Sequence, residues 1–153
     1  MRRLGLACLA LSLASCQAAE DTDAAQEAVE TFHRDYDAKR FAAVFEASGT
    51  QLKEITPRAQ FLDFMKAVRV RLGEVKSTTQ TGWNVNYNTG GGQITLIYQT
   101  EFAHGEGTET FIYDTASPPR LIGYNVNAPA LAVPRVTRRG GPEPVQAVPE
   151  ARR

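Results

Sequence analysis

The chain has 153 residues, of which 17 are basic and 17 acidic, and it contains only two cysteines. This length favours a single domain with a core of its own. A composition with 42% hydrophobic and 22% charged residues is ordinary for globular proteins and excludes wholesale disorder. No apolar run reaches the roughly 18–20 residues that a membrane-spanning helix needs, so the sequence predicts no integral-membrane body.

The two ends of the chain differ from its middle. Residues 1–15 begin with paired arginines and continue into a short apolar stretch, which predicts a secretory signal peptide. Residues 128–153 hold five of the eight prolines and a net charge of +3, and we expect a disordered tail. Residues 16–127 carry a net charge of −5. This acidic balance argues against nucleic-acid binding, which needs clustered lysine and arginine on the fold.

The signal peptide ends in Leu13-Ala14-Ser15-Cys16, which resembles the lipobox of bacterial lipoproteins. Small residues let an extended chain enter a narrow peptidase site, and a thiol is nucleophilic enough to be alkylated by a diacylglycerol donor. The resemblance implies that Cys16 becomes the mature N-terminus and carries a thioether lipid and an amide-linked acyl chain such as palmitate. Gln17 implies, by resemblance to lipoprotein sorting rules, an outer-membrane protein that faces the periplasm.

The alternative is an ordinary signal peptide that is cut near Gln17-Ala18-Ala19, with Cys16 incidental. Under the lipoprotein interpretation, Cys8 is discarded and Cys16 is blocked, so the mature chain has no free thiol and no disulfide. Residues 16–23 would then be a lipidated tether.

Helical periodicity dominates the first half of the domain that we predict for residues 24–127. Apolar residues recur at three- and four-residue steps from Ala25 to Tyr36, and a second short apolar face begins at Phe41. A further helix opens at Thr56-Pro57 and ends at Gly73. Its predicted buried stripe consists of Phe61, Phe64, Met65, Val68 and Leu72.

After Glu74 the hydrophobic period changes to two, and turns divide the sequence into four alternating segments. We predict strands near residues 83–88, 94–102, 108–113 and 120–127. In the last strand, Ile122, Tyr124 and Val126 are expected to point the same way. Helices followed by hairpins predict an α+β fold with N-terminal helices packed on a curved, four-stranded antiparallel sheet.

Three motifs give this chain a family resemblance: Thr56-Pro57-Arg58, Val68-Arg69-Val70-Arg71-Leu72-Gly73 and Ile122-Gly123-Tyr124-Asn125-Val126-Asn127. Over about residues 24–127, the sequence resembles the bacterial family named domain of unknown function 4019. The resemblance implies the cystatin-like, or nuclear transport factor 2-like, superfold, in which a curved sheet wraps around a long helix. That superfold hosts enzymes, binding modules and adaptors, so it implies no particular function.

The densest group of titratable residues is His33, Asp35, Tyr36 and Asp37. A tyrosine and an aspartate in an apolar cavity could serve as oxyanion donor and base. Helical geometry, however, points Tyr36 inward and places His33 and Asp37 on the wetter side, so we expect structural roles. His104 lies in a glycine-flanked turn and is expected to be solvated. We predict no catalytic residue, no cofactor and no metal site, because two histidines without a thiol give too few ligands.

The aromatic face of the sheet is the better functional lead. Its side chains are expected to form either plain core or an apolar pocket with phenols at its mouth. The candidate pocket residues are Tyr36, Trp83, Tyr87, Tyr98, Phe102, Tyr113 and Tyr124. We therefore expect a lipid-anchored cell-envelope protein that binds an envelope protein or a small ligand without catalysis. The alternative is a small pocket enzyme of the isomerase or hydratase type, in which Tyr36 works with Asp37, Asp114 or Glu101.

Overall fold

The computed structural model describes residues 9–132, with side chains described from residue 19 onward. Residues 1–8 of the predicted signal peptide and 133–153 of the predicted tail lie outside the described residues. The helices are α1 (Leu9–Asp37), α2 (Phe41–Ala47), α3 (Thr50–Ile55) and α4 (Arg58–Leu72). The strands are β1 (Val75–Asn88), β2 (Gly91–Phe102), β3 (Gly105–Asp114) and β4 (Leu121–Asn127), followed by a 3₁₀ helix at Pro129–Leu131.

The four strands form one antiparallel sheet in the order β1-β2-β3-β4, and each neighbouring pair is a hairpin. The predicted α+β fold, with N-terminal helices packed on a four-stranded antiparallel sheet, is confirmed. Among residues 9–132, none of the helices combines the length and apolarity that a membrane span requires.

Helix α1 is the long helix around which the sheet packs. Ala25, Val29, Phe32 and Tyr36 are buried on it at the predicted spacing, and they contact the inner face of the sheet, which is the face turned toward the helices. The backbone of the predicted tether at residues 16–23 is helical and belongs to α1. The helix therefore passes without interruption from Cys16 into the core.

Helix α4 buries Phe61, Met65, Val68 and Leu72 and ends at Gly73, which has φ +82°, as the sequence predicted. Phe64 was wrongly assigned to this buried stripe, because its side chain is 39% exposed. It lies on the flank of the helix, where its ring packs against that of Tyr124. Helix α3 was not predicted, since six residues are too few to establish a helical period.

The last strand differs from prediction in one residue. A register shift between Ile112 and Tyr113 pairs Tyr113 with Leu121, so Leu121 joins the core. Ile122 is also buried, but its side chain meets the backbone at Gly49, not the inner face. Ordered structure continues past Asn127, where the sequence placed the end of the domain, into the 3₁₀ helix at Pro129–Leu131.

Candidate functional site

An open apolar groove of about 710 Å³ lies between α1, α2 and the loop from β3 to β4. We call it the α1–α2 groove. Its floor is formed by core side chains, Phe32, Val44, Tyr113 and Leu121. Its volume falls in the range of about 300–1,000 Å³ that is typical of small-molecule sites. Two other hollows, of about 510 and 730 Å³, lie near the ends of the sheet and are lined mainly by turn residues and by small or polar side chains.

Small side chains on α1 create the space of this groove. Ala24, Ala28 and Thr31 recur at four- and three-residue steps on the flank of α1 that faces the loop, next to its buried stripe. A larger side chain on this flank would reach toward α2 or the loop. The sequence pattern therefore leaves room on one side of a well-packed helix.

The opposite wall is the loop of Ser117, Pro118, Pro119 and Arg120, in which the Ser117–Pro118 peptide is cis. Asp114 holds this loop in place, because its Oδ1 accepts hydrogen bonds from the backbone N–H groups of Ala116 at 3.2 Å and Arg120 at 2.7 Å. The wall is thus fixed by Asp114, one of the acidic residues of the alternative enzyme hypothesis.

The charged groups on the groove are few. Glu27, Asp35 and Arg120 line it. Asp35 accepts a hydrogen bond from Arg40 Nε at 3.0 Å, so its charge is already compensated. The groove as a whole offers an apolar floor with a small number of polar groups at its edge, as ligand sites commonly do.

A separate polar cluster lies inside the core. Glu109 is 1% exposed, and its Oε2 accepts hydrogen bonds from Thr100 Oγ1 at 2.5 Å and His33 Nε2 at 2.8 Å. Its Oε1 accepts one from Tyr124 Oη at 2.6 Å. We call these four residues the Glu109 cluster. Three donors on one carboxylate give a buried acid the hydrogen bonds it needs to remain stable.

Tyrosines around the Glu109 cluster are held neutral. Burial raises the pKa of Tyr124 well above its usual value of 10.0, and the charge of Glu109 and its hydrogen bond raise it further. Burial also raises the pKa values of Tyr113 and Tyr36. A phenol that keeps its proton is a hydrogen-bond donor and not a base. In the described structure, no member of the Glu109 cluster lines the α1–α2 groove.

The residues of the enzyme hypothesis do not converge. Tyr36 Oη donates to the carbonyl oxygen of Gly73 at 2.9 Å, and Asp37 Oδ1 accepts from the backbone N–H of Val75 at 3.0 Å. Asp114 holds the loop, and Glu101 accepts from Ser77 Oγ at 3.0 Å on an exposed part of the sheet. Each of these groups has a structural partner of its own.

The expectation that His33 lies on the wetter side of α1 was wrong. His33 is buried at 9% exposure, and its ring packs edge-on against Phe32 and Phe111. The reason lies in the sheet, where the buried carboxylate of Glu109 accepts a hydrogen bond from the imidazole and offsets the cost of burying it. His104 is exposed in its turn, as predicted.

The predicted aromatic pocket is divided between core and surface. Tyr36, Tyr98, Phe102 and Tyr113 are buried, and Tyr124 is half-buried beneath Phe64. Trp83 and Tyr87, in contrast, are 61% and 53% exposed. Both lie on the inner face of the sheet. They are exposed because β1 is an edge strand and the helices do not cover it at these two positions. Of the seven candidates, only Tyr113 lines the α1–α2 groove.

Sequence reasoning missed Glu109, although the sequence contained a signal for it. In β3, Glu109 precedes Phe111 and Tyr113 by two and four residues. The three side chains therefore lie on the same face of the strand, which is the inner face of the sheet. A carboxylate at such a position requires donors from another element. Within the part of the chain that has described side chains, no group of three His, Cys, Asp or Glu residues could hold a metal ion.

A comparison with protein-family models gives no match for this chain, and neither does a comparison with curated proteins. The resemblance to the family named domain of unknown function 4019 therefore stays a prediction from its three motifs.

Proposed function

We propose that this protein is a lipid-anchored, non-catalytic binding module of the bacterial cell envelope, which holds a small apolar ligand in the α1–α2 groove. The groove is the observation that carries the proposal. The groove reaches the core aromatic side chains Phe32 and Tyr113 while remaining open to solvent, which neither of the two other hollows described above does. Its apolar floor stabilises a ligand by removing apolar surface from water.

The partners of the titratable groups support binding rather than chemistry. A catalytic acid or base has to come within hydrogen-bond reach of the substrate. The carboxylate of Glu109 accepts three hydrogen bonds inside the core, and Tyr36 is bonded to backbone. The floor of the groove presents Phe32 and Tyr113 to a ligand, and Asp35, one of the two carboxylates that line the groove, is paired with Arg40.

The anchor is supported by the lipobox and by the helix that follows it. Cys16 would carry the lipid and would place the domain on the periplasmic side of a membrane, with Gln17 favouring the outer membrane. Two or more acyl chains anchor firmly, since each buried methylene contributes about 0.8 kcal/mol. The module would thus act where apolar molecules are exchanged with a membrane.

Groove binding can be tested with a lipid-free form of the chain, residues 17–153, and the apolar fluorescent probe N-phenyl-1-naphthylamine. Ala47 and Ala43 are both exposed on α2, but only Ala47 lines the groove. Ala47→Phe should fill the groove and abolish most of the fluorescence increase. Ala43→Phe is the matched control and should bind the probe like the parent chain. Equal binding by both variants would place the probe elsewhere and contradict the proposal.

A further inference from the structure

The chain presents two large aromatic side chains to solvent on one face of the edge strand. Trp83 and Tyr87 pair with Leu96 and Gly92 of β2, so both lie on the inner face. They are four positions apart in the chain, which is about 13 Å along a strand. Exposed aromatic rings of this size are expensive to leave in water unless something covers them.

The hairpin that carries these rings is uncharged. No Asp, Glu, Lys or Arg occurs from Ser77 to Thr100, although 22% of the whole chain is charged. An exposed edge strand normally carries charges, lysine above all, to prevent contact with other surfaces. Their absence indicates that this hairpin lies against a surface on which a charge would be costly.

Helix α1 connects this hairpin to the lipobox cysteine. Tyr87 Oη donates to Asp21 Oδ2 at 2.8 Å, and Gln26 Nε2 donates to Gln80 Oε1 at 2.7 Å. The backbone of α1 is continuous from Leu9, so Cys16 precedes Asp21 by five helical residues, a rise of about 7.5 Å. A lipid on Cys16 therefore enters its membrane close to Tyr87.

We propose that Trp83, Tyr87 and the surrounding β1–β2 hairpin dock on the interface of a zwitterionic phospholipid bilayer. This inference rests on the proposed lipidation of Cys16. Tryptophan and tyrosine are enriched at this interface, because an apolar ring with a polar edge suits the headgroup layer. The lipid and the two rings together fix how the domain lies on the membrane, with α1 as the rigid connection.

The charges near the anchor decide the kind of lipid. Glu20, Asp21 and Asp23 lie on α1 just after Cys16, and the uncharged hairpin offers no basic residue to balance them. A surface of anionic lipid would repel these carboxylates, whereas basic segments are attracted to it. A zwitterionic headgroup such as phosphatidylcholine or phosphatidylethanolamine is therefore the favoured contact.

The single tryptophan of the chain makes the docking measurable. The full lipidated protein is reconstituted in phosphatidylcholine vesicles, either plain or with brominated acyl chains, after palmitate labelling has been verified. Docking predicts a blue-shifted Trp83 emission, protection from acrylamide in water, and quenching by the brominated lipid. Replacing half of the lipid with phosphatidylglycerol should not increase the quenching, and an increase would overturn the preference for zwitterionic lipid.

A matched pair of variants separates docking from mere proximity. Tyr87→Gln removes an exposed ring while keeping a donor for Asp21, and it should lower the quenching by brominated lipid. Val70→Gln changes a 77% exposed residue on α4 and should leave the quenching unchanged. If the protein carries the palmitate label but acrylamide still quenches Trp83, the docking proposal is wrong and the lipid anchor is unaffected. A blue shift that follows protein concentration without lipid quenching would instead indicate a second copy on β1. A protein without palmitate label overturns the anchor and the docking together.

Discussion

His33 Nε2 lies 2.8 Å from Glu109 Oε2, so one hydrogen bond joins α1 to β3 across 76 positions of the chain. Both residues are buried, and the contact fixes the helix on the sheet at a single place. Two apolar side chains at these positions would still pack if α1 shifted along the sheet. A buried carboxylate would lose its hydrogen-bond donors in such a shift. We infer that the Glu109 cluster specifies how α1 lies on the sheet.

Replacing Glu109 with Gln should destabilise the fold. The amide nitrogen is a donor, and it would replace a carboxylate oxygen that now accepts hydrogen bonds. It would then face another donor, either at His33 and Thr100 or at Tyr124, and a buried polar group would lose its partner. We expect the free energy of unfolding in urea to fall by about 1–3 kcal/mol. Glu101→Gln is the control, since this exposed residue should change stability by less than about 0.5 kcal/mol. Equal losses of unfolding free energy in the two variants would contradict a structural role for the Glu109 cluster.

The raised tyrosine pKa values predict a loss of stability in alkali. The unfolded chain releases phenolic protons near pH 10, whereas burial raises the pKa of Tyr113 above that value in the folded chain. Stability is therefore fully present below about pH 10 and falls as the pH rises above it, by up to about 1.4 kcal/mol per pH unit for each such tyrosine. Tyr113→Phe should make the dependence of unfolding free energy on pH shallower between pH 10 and 11.5. An unchanged slope would show that Tyr113 titrates normally.

Gly73 should not tolerate a side chain. Its φ of +82° belongs to glycine, and an added Cβ would lie 2.8 Å from the Cβ of Ala103. Gly73→Ala should therefore cost about 1–3 kcal/mol of unfolding free energy from backbone strain, with the steric contact adding to it. Gly82→Ala is the matched control, because its Cβ would find its nearest neighbour at an ordinary 3.5 Å. We would abandon the argument if the two alanine variants unfolded at the same urea concentration.

Two phenylalanines of α4 should differ in their contributions to stability. Phe61 is 4% exposed and packs against the ring of Phe45, so Phe61→Ala should cost about 3–5 kcal/mol. Phe64 is largely at the surface over Tyr124, and Phe64→Ala should cost roughly 1–2 kcal/mol. The ratio of the two losses, measured by urea unfolding, checks the orientation of the helix. A larger loss at Phe64 than at Phe61 would contradict it.

The order of helices and strands, apart from the short helix α3, could be predicted from the sequence, because helices and strands leave different hydrophobic periods. The change of period after Glu74 marks the beginning of β1, and the burial of Phe61 and Met65 follows from helical spacing. The exposure of Trp83 could not be obtained in the same way. Alternation assigns it to the inner face correctly, but how far the helices extend over an edge strand depends on tertiary packing.

The candidate site was less predictable than the fold. The α1–α2 groove forms between the flank of one helix, another helix and a loop 70 or more residues away, and no local pattern connects Ala47 with Pro118. The burial of His33 likewise depends on Glu109, a residue on a strand that sequence spacing cannot align with α1. Both features arise from long-range packing, whereas the predicted lipobox depends only on the consecutive residues 13–16.

Both functional proposals include attachment of lipid to Cys16, and intact mass measurement of the protein extracted from membranes tests this attachment most directly. We predict a mature chain that begins at Cys16 and whose mass exceeds that of the polypeptide by a diacylglyceryl group and an acyl chain. Cys16→Ala should remove palmitate labelling and release the protein from the membrane fraction. A chain that begins after Ala19 without added mass, or palmitate labelling that persists in Cys16→Ala, would contradict the membrane anchor.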